Sequence, residues 1–152
     1  MARLTSTIVA SATTFLLAAP TLASETLQDK LARTAASVTD DVVALRRHFH
    51  EFPELSNEEY KTAERIAEEL RAMGLEPTTG IAETGVTALI KGCKPGPLVA
   101  LRADMDDLPV IEQVALPFAS KQRGVYNGND VGIMHACGHD THMAMLPGAA
   151  KT

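Results

Sequence analysis

The chain has 152 residues, which is enough for a single domain. Its composition, with 45% hydrophobic and 22% charged residues, is ordinary for a globular protein. A net charge of −5, with no basic cluster, argues against nucleic-acid binding. The lack of tryptophan, with two tyrosines and four phenylalanines, argues against an aromatic platform for bases or sugars.

Residues 1–24 are typical of a secretory signal peptide. Arg3 supplies a positive charge, residues 4–19 are uncharged, and residues 21–23 place small side chains at a cleavage site. A buried N-terminal helix is the alternative. A membrane anchor is disfavoured because the apolar core is shorter than the ~20 residues that a membrane span needs. We expect a mature chain that is exported to the periplasm or secreted, without a stable membrane anchor.

Two helices are predicted next. Apolar residues recur at helical spacing across residues 25–52, and Pro53 ends that pattern. Ser56 and Glu59 match a capping box, in which Ser56 caps the second helix and Glu59 reaches back to it. Gly74 is the expected stop signal of this helix.

Three short runs rich in β-forming residues follow, at residues 75–81, 86–91 and 98–102. The tight turn around Cys93 predicts that the last two runs form a hairpin. The continuous apolar run from Leu98 to Leu101 is typical of a strand buried on both faces. A long loop then leads to a helical pattern at residues 144–150, which Pro147 would disturb. This order predicts the opening of an α/β domain.

The acidic segment, residues 102–109, places Asp104, Asp106 and Asp107 at the end of the last predicted strand. Sheets of α/β proteins carry ligand sites at the carboxyl ends of their strands. Adjacent carboxylates repel one another, so Arg102 or a metal ion would have to compensate them. A solvated acidic turn is the alternative.

The His/Cys segment, residues 134–142, contains three of the five histidines and one of the two cysteines. Imidazole and thiolate bind zinc, and also manganese, nickel or cobalt when oxygen ligands join them. Cys137 and His139 could turn to one ion, because Gly138 between them allows a close approach. Further ligands, or groups that orient the ligands, would be His135, Asp140 and His142. Such an incomplete ligand set favours a catalytic metal site over a closed structural one.

Two other features are less informative. The sequence does not decide whether Cys93 and Cys137 form a disulfide, although metal binding is the better use of Cys137. The charged residues of Arg46–Ser56 lie at a helix end, where the helix dipole explains the cationic side chains. By this argument alone the segment has no catalytic role.

Together, however, three segments resemble the N-terminal part of the amidohydrolases of the aminoacylase and hippurate-hydrolase type, in peptidase family M20. The branch includes the plant auxin-conjugate hydrolases. Its opening signature is similar to Arg47–Ser56, and its strand-end acidic motif to Ala100–Asp106 with Leu108-Pro109. Its metal motif is similar to Met134–Asp140. The resemblance covers approximately residues 40–151.

The resemblance implies an α/β catalytic domain in which helices flank a mixed sheet, like that of the co-catalytic zinc peptidases. It also implies two divalent ions (Mn, Zn, Ni or Co). Cys137 and His139 would be metal ligands, and Asp106 would be the carboxylate that supports the metal centre. Asp104, His135, Asp140 and His142 would support the ligands. At Asp104, related branches carry a histidine ligand.

By the same resemblance, the general base belongs to a Glu-Glu pair downstream of the metal motif, and two histidine ligands come later still. None of these, nor the family's lid domain, lies within the 152 residues. We therefore expect residues 25–152 to be the N-terminal portion of an incomplete catalytic domain that is inactive by itself. The full-length enzyme would act on small N-acyl amino acids, and it could form a homodimer. The alternatives are a carboxypeptidase or dipeptidase of the same superfamily and a non-catalytic metal-binding module.

Overall fold

The structure, a computed structural model, describes residues 25–152. Its elements are α1 (Leu27–Glu51), α2 (Tyr60–Ala72), β1 (Thr78–Ile81), β2 (Gly85–Thr87), β3 (Arg123–Tyr126), β4 (Asn129–Gly132) and α3 (His139–Ala150). The strands form two separate antiparallel pairs, β1 with β2 and β3 with β4. None of these three helices is long and apolar enough to cross a membrane. The predicted signal peptide lies outside the described residues.

The helix predicted for residues 25–52 is confirmed as α1. A capping box opens it, in which the Thr26 hydroxyl accepts a hydrogen bond from the N–H of Asp29 at 3.1 Å. The Asp29 carboxylate in turn accepts from the N–H of Thr26 at 3.1 Å. Only the C-terminal half of α1 is buried, through Leu45, Phe49 and His50. This end of the helix therefore carries the contacts with the rest of the fold.

The second helix exists, but the predicted capping box does not form. Ser56 lies in an exposed turn, and Glu59 makes no capping hydrogen bond to α2. The Glu59 carboxylate instead accepts a hydrogen bond from the Thr84 hydroxyl at 2.7 Å. Glu54 takes over the capping role, because its carboxylate accepts from the N–H of Thr62 at 2.8 Å. An anion at a helix N-terminus satisfies free N–H groups and complements the dipole.

The predicted hairpin between residues 86–91 and 98–102 is wrong. The hairpin in this region joins β1 to β2, and residues 98–102 form no strand. Leu98 is 84% exposed rather than buried on both faces. A strand of that kind needs neighbours that accept its backbone hydrogen bonds and helices that cover its faces. Residues 25–152 supply neither to this run.

A second hairpin lies within the segment expected to be a long loop. Strands β3 and β4 pair in full register from Arg123 opposite Gly132 to Tyr126 opposite Asn129. Asn127 and Gly128 form the two-residue turn, with φ of 51° and 77°. An Asn-Gly pair favours such positive φ values and is a strong hairpin signal. The Asn127-Gly128 pair is thus the sequence signal for this hairpin.

The core lies where α1 packs against α3. Its buried members are Leu45, Phe49, Met143 and Ala144. Gly148 allows the close approach, since a Cβ at this position would lie 2.4 Å from Cγ2 of Val42. The expected disturbance at Pro147 does not occur, because α3 continues through this residue to Ala150. The proline costs one helical hydrogen bond but keeps its side chain in the buried interface.

Candidate metal centre

Backbone hydrogen bonds bring the three motifs together. The N–H of Leu108 donates to the carbonyl of Met134 at 3.2 Å, and the N–H of Met134 returns a bond to Leu108 at 3.1 Å. These bonds hold the acidic segment against the His/Cys segment. The N–H of Asp107 also donates to the carbonyl of Glu54 at 3.1 Å, which ties the acidic segment to the chain after α1.

His139 is in direct contact with Asp106. Its ring Nδ1 lies 2.9 Å from the carbonyl oxygen of Asp106 and 3.1 Å from a carboxylate oxygen of the same residue. With Nδ1 as the donor, the lone pair of the neutral ring is on Nε2. A carboxylate or carbonyl behind a histidine fixes the tautomer in this way in metal sites. The structure thus presents His139 in a form suited to metal binding through Nε2.

Cys137 is exposed and forms no disulfide, as is also true of Cys93. Gly138 separates Cys137 from His139. Its φ of +88° is left-handed, and no protein atom lies within 4 Å of the place a Cβ would occupy. The backbone conformation that leads the loop into α3 therefore favours a glycine at this position, in addition to the close approach to an ion that the sequence predicts.

Asp104 and His142 lie at the periphery of this region. The Asp104 carboxylate forms an exposed ion pair with Arg102 at 2.6 Å. The Arg102 compensation that the sequence suggested is thus realised for one of the three carboxylates. His142 is exposed on α3, with its ring centroid 6.3 Å from that of His139. Within residues 25–152, neither Asp104 nor His142 is hydrogen-bonded to the side chain of Cys137 or His139.

The side chains of His135 and Asp107 are in direct contact, and each is only 1% exposed. Nδ1 of His135 faces one carboxylate oxygen, and the other oxygen accepts a hydrogen bond from the N–H of Glu54 at 3.1 Å. Burial raises the pKa of Asp107, and the contact with His135 offsets part of that rise. The pair joins the residue next to Asp106 with the residue two before Cys137, so it supports both candidate ligand segments.

Asp140 is fully buried at the start of α3. Its carboxylate oxygen Oδ2 lies 2.8 Å from Nδ1 of His50 and 2.7 Å from Nε of Arg46. Its other oxygen accepts from the N–H of Thr141 at 2.9 Å. On the far side of the imidazole, Nε2 of His50 lies 3.1 Å from Glu112. Asp140 thus contacts α1 and its own helix, which agrees with a supporting role and not with a free ligand.

Three participants in these networks are not marked by the sequence. The charge of His50 is explained by its place at a helix end, Asp107 is one of three neighbouring carboxylates, and Glu112 lies outside the recognised motifs. No local pattern marks Glu112, because it stands beside the polar Gln113 in a mixed segment, Val110–Val114.

The donor types fit a divalent metal ion, but only as part of a ligand set. The candidate residues Cys137, His139 and Asp106 offer a thiol, an imidazole with Nδ1 engaged and a carboxylate, which are donor types that suit a borderline-soft ion. Within residues 25–152, however, no three such side chains converge on a point that would hold an ion. The residues present therefore supply some of the ligands of a site and not a closed one.

Comparison with known proteins identifies the family. Residues 100–152 match the model of peptidase family M20/M25/M40. The chain belongs to this family. It is 49% identical to thermostable carboxypeptidase 1 of Saccharolobus solfataricus over 82% of this chain and 30% of the relative. It is 45% identical to the N-acyl-L-amino acid amidohydrolase of Geobacillus stearothermophilus over 82% of this chain and 31% of the relative.

A solved structure supports the same assignment for this M20 chain. A Bacillus subtilis protein described as a dinuclear metal binding peptidase of the M20 family superposes with a TM-score of 0.67 at 42% identity, covering 76% of this chain and 31% of its own. The resemblance seen in the sequence is thereby confirmed, as is the fold class. The chain spans about 30% of the length of the curated relatives that it matches.

Proposed function

We propose that this chain contributes Asp106, Cys137 and His139 to a two-metal centre that hydrolyses the amide bond of N-acyl amino acids. The observation that carries the proposal is the contact of His139 with Asp106. Cys137, two residues before His139, carries an exposed thiol. Cys137 and His139 lie in the segment similar to the family's metal motif, and Asp106 lies in the segment similar to its acidic motif. The dinuclear metal site of the solved relative supports the number of ions.

The roles of the chain's own residues follow from their contacts. His139 would bind through Nε2 while Asp106 holds Nδ1, and Cys137 would bind through its sulfur. Asp107 with His135, and Asp140 with His50, would keep these segments in place from behind. Divalent ions held by these residues would supply polarisation of the scissile carbonyl and a lowered pKa of water.

The substrate class is supported by the relatives. One is an N-acyl-L-amino acid amidohydrolase, and others are N-acetylcysteine deacetylases and a hydrolase of auxin–amino acid conjugates from Arabidopsis thaliana. Each of these names describes cleavage of the amide bond between an acyl group and the amine of an amino acid. We propose the same bond for the protein that this chain represents, with manganese, zinc, nickel or cobalt as the ion.

A carboxypeptidase is the second candidate, because two relatives, 49% and 48% identical to this chain, are named thermostable carboxypeptidases. Both reactions cut an amide beside a free α-carboxylate. They differ in whether the other side of the bond is a simple acyl group or an amino acid with its own amine.

A chimera tests the proposal. Residues 25–152 would replace the matching segment of the Geobacillus amidohydrolase, and hydrolysis would be measured with Mn²⁺ on hippurate, N-acetyl amino acids and dipeptides. We expect turnover of the acyl substrates, its loss in Cys137→Ala, and its retention in Cys93→Ala. A folded but inactive chimera would overturn the proposal, and a preference for dipeptides would favour the carboxypeptidase.

The isolated 152-residue chain belongs in the same experiment. We propose that it binds metal ions without hydrolysing any of these substrates, because residues 25–152 do not assemble a complete ligand set. Turnover by this chain alone would contradict that expectation. An inactive chimera together with ion binding by the chain alone would instead leave a metal-binding module as the better description.

A further inference from the structure

His50 is held between two carboxylates from opposite directions. Nδ1 lies 2.8 Å from Asp140 and Nε2 lies 3.1 Å from Glu112. All three side chains are at least 95% buried. Each ring nitrogen thus lies within hydrogen-bonding distance of a carboxylate oxygen on its own side of the ring. The guanidinium of Arg46 makes a further contact with Asp140.

The two contacts of His50 lead to different parts of the fold. Asp140 follows His139 directly in the chain, and its second oxygen accepts from the N–H of Thr141 in the first turn of α3. Glu112 instead accepts a hydrogen bond from the N–H of Ser120, and the Ser120 hydroxyl donates to the carbonyl of Ile133 at 2.7 Å. The Nδ1 contact therefore acts on the start of α3, and the Nε2 contact acts on the loop before β3.

We propose that His50 is a positioning residue for the candidate metal ligand His139, acting through its Nδ1 contact with Asp140. The inference rests on the proposed function, in which His139 binds an ion. A ligand at the first residue of a helix points in a direction set by that helix's first turn. Asp140 fixes this turn to the end of α1 through His50 and Arg46, so the His50 contact determines where the His139 ring lies relative to Asp106.

The alternative is that His50 only fills and neutralises a buried space, in which case its two contacts should matter equally for metal binding. Two conservative variants separate the possibilities, because each keeps one amide donor near one of the ring nitrogens. The amide nitrogen of His50→Asn lies close to the place of Nδ1 and can still donate to Asp140. The amide nitrogen of His50→Gln lies close to the place of Nε2 and can still donate to Glu112. Both variants remove the imidazole ring.

The first readout is Co²⁺ affinity of the full 152-residue chain. We expect His50→Gln to bind Co²⁺ about tenfold or more weakly than the unmodified chain, the range typical when a group behind a metal ligand is lost. His50→Asn should stay within about threefold. Leu45→Ala, a core substitution on the same helix, controls for a general loss of stability. Equal affinities of the Asn and Gln variants would overturn the proposal.

The second readout needs no metal. Hydrogen exchange of the peptide covering residues 139–144 reports whether the first turn of α3 is held. We expect that peptide to lose most of its protection in His50→Gln and to keep it in His50→Asn. Loss of protection in both variants, or in neither, would contradict the inference. If the unmodified chain binds no Co²⁺, the metal proposal fails, while hydrogen exchange still decides whether His50 positions the turn that carries His139.

Discussion

Nδ1 of His139 lies within hydrogen-bonding distance of both the carbonyl oxygen and the carboxylate of Asp106, 33 residues earlier in the chain. The contact joins the acidic segment to the His/Cys segment. In each segment, the residue that makes the contact is one that we propose for the metal centre. It also leaves Nε2 as the ring nitrogen that can bind an ion. The orientation of His139 thus depends on Asp106, and this dependence can be tested.

Substitutions of Asp106 should weaken metal binding in a graded way. Asp106→Asn keeps a side-chain oxygen that can accept from Nδ1, whereas Asp106→Ala leaves only the backbone carbonyl. We expect the alanine variant to lose about 10- to 100-fold in affinity for Zn²⁺ or Co²⁺ and the asparagine variant to lose less. Isothermal titration of the purified variants measures this. Unchanged affinity in Asp106→Ala would remove this residue from the site.

The buried pair of Asp107 and His135 should contribute to folding as a unit. Asp107→Ala leaves the imidazole buried without its partner, a change that typically costs about 3 kcal/mol. The double variant Asp107→Ala/His135→Ala should lose less stability than the sum of the two single variants, by about 1 kcal/mol or more. Urea unfolding of the four proteins gives the coupling. Additive losses would show that the two side chains do not stabilise one another.

Gly148 should be required by the packing of α3 on Val42. Gly148→Ala gains about 1 kcal/mol of helix propensity. The new methyl group would overlap Cγ2 of Val42, and such overpacking costs about 1–3 kcal/mol. We expect a net loss of stability in thermal unfolding. In a Val42→Ala background the same substitution should become neutral or stabilising, and an equal loss in both backgrounds would contradict the packing argument.

His48 should make the fold less stable in mild acid. Partial burial, helped by the nearby charge of Arg65, lowers the pKa of His48 from its ordinary value of 6.5. The unfolded chain then binds the proton more readily, so stability falls as pH drops from 6.5 towards the lower pKa of the folded state. His48→Gln should flatten this part of the pH profile in urea unfolding. A slope identical to that of the unmodified chain would contradict the assignment.

Some features of the fold follow from local sequence signals. Helix α1 was predictable because its period and Pro53 need no information from elsewhere in the chain. The run from Leu98 to Leu101 shows the opposite case, since whether an apolar run becomes a buried strand depends on partners distant in sequence. The predicted cap of α2 is wrong for a related reason. The Glu59 carboxylate accepts a hydrogen bond from Thr84, 25 residues away, and Glu54 caps the helix instead.

The candidate site also contains residues that local sequence signals reveal and residues that only the fold reveals. Donor chemistry and spacing were sufficient to single out Cys137 and His139, because ligand residues are unusual enough to be recognised in the sequence. The buried partners were not recognisable, since the contact of His50 with Asp140 spans 90 residues. Only the folded chain shows which carboxylate faces solvent, as Asp104 does, and which is buried with a histidine.

Cobalt absorption spectroscopy tests the central claim most directly, because a thiolate bound to Co²⁺ gives a charge-transfer band in the near ultraviolet. The chain has two exposed cysteines, so Cys93→Ser is a matched control for Cys137→Ser. We predict that the unmodified chain and Cys93→Ser show the band and that Cys137→Ser lacks it. A band that persists in Cys137→Ser, or no band in the unmodified chain, would contradict the account.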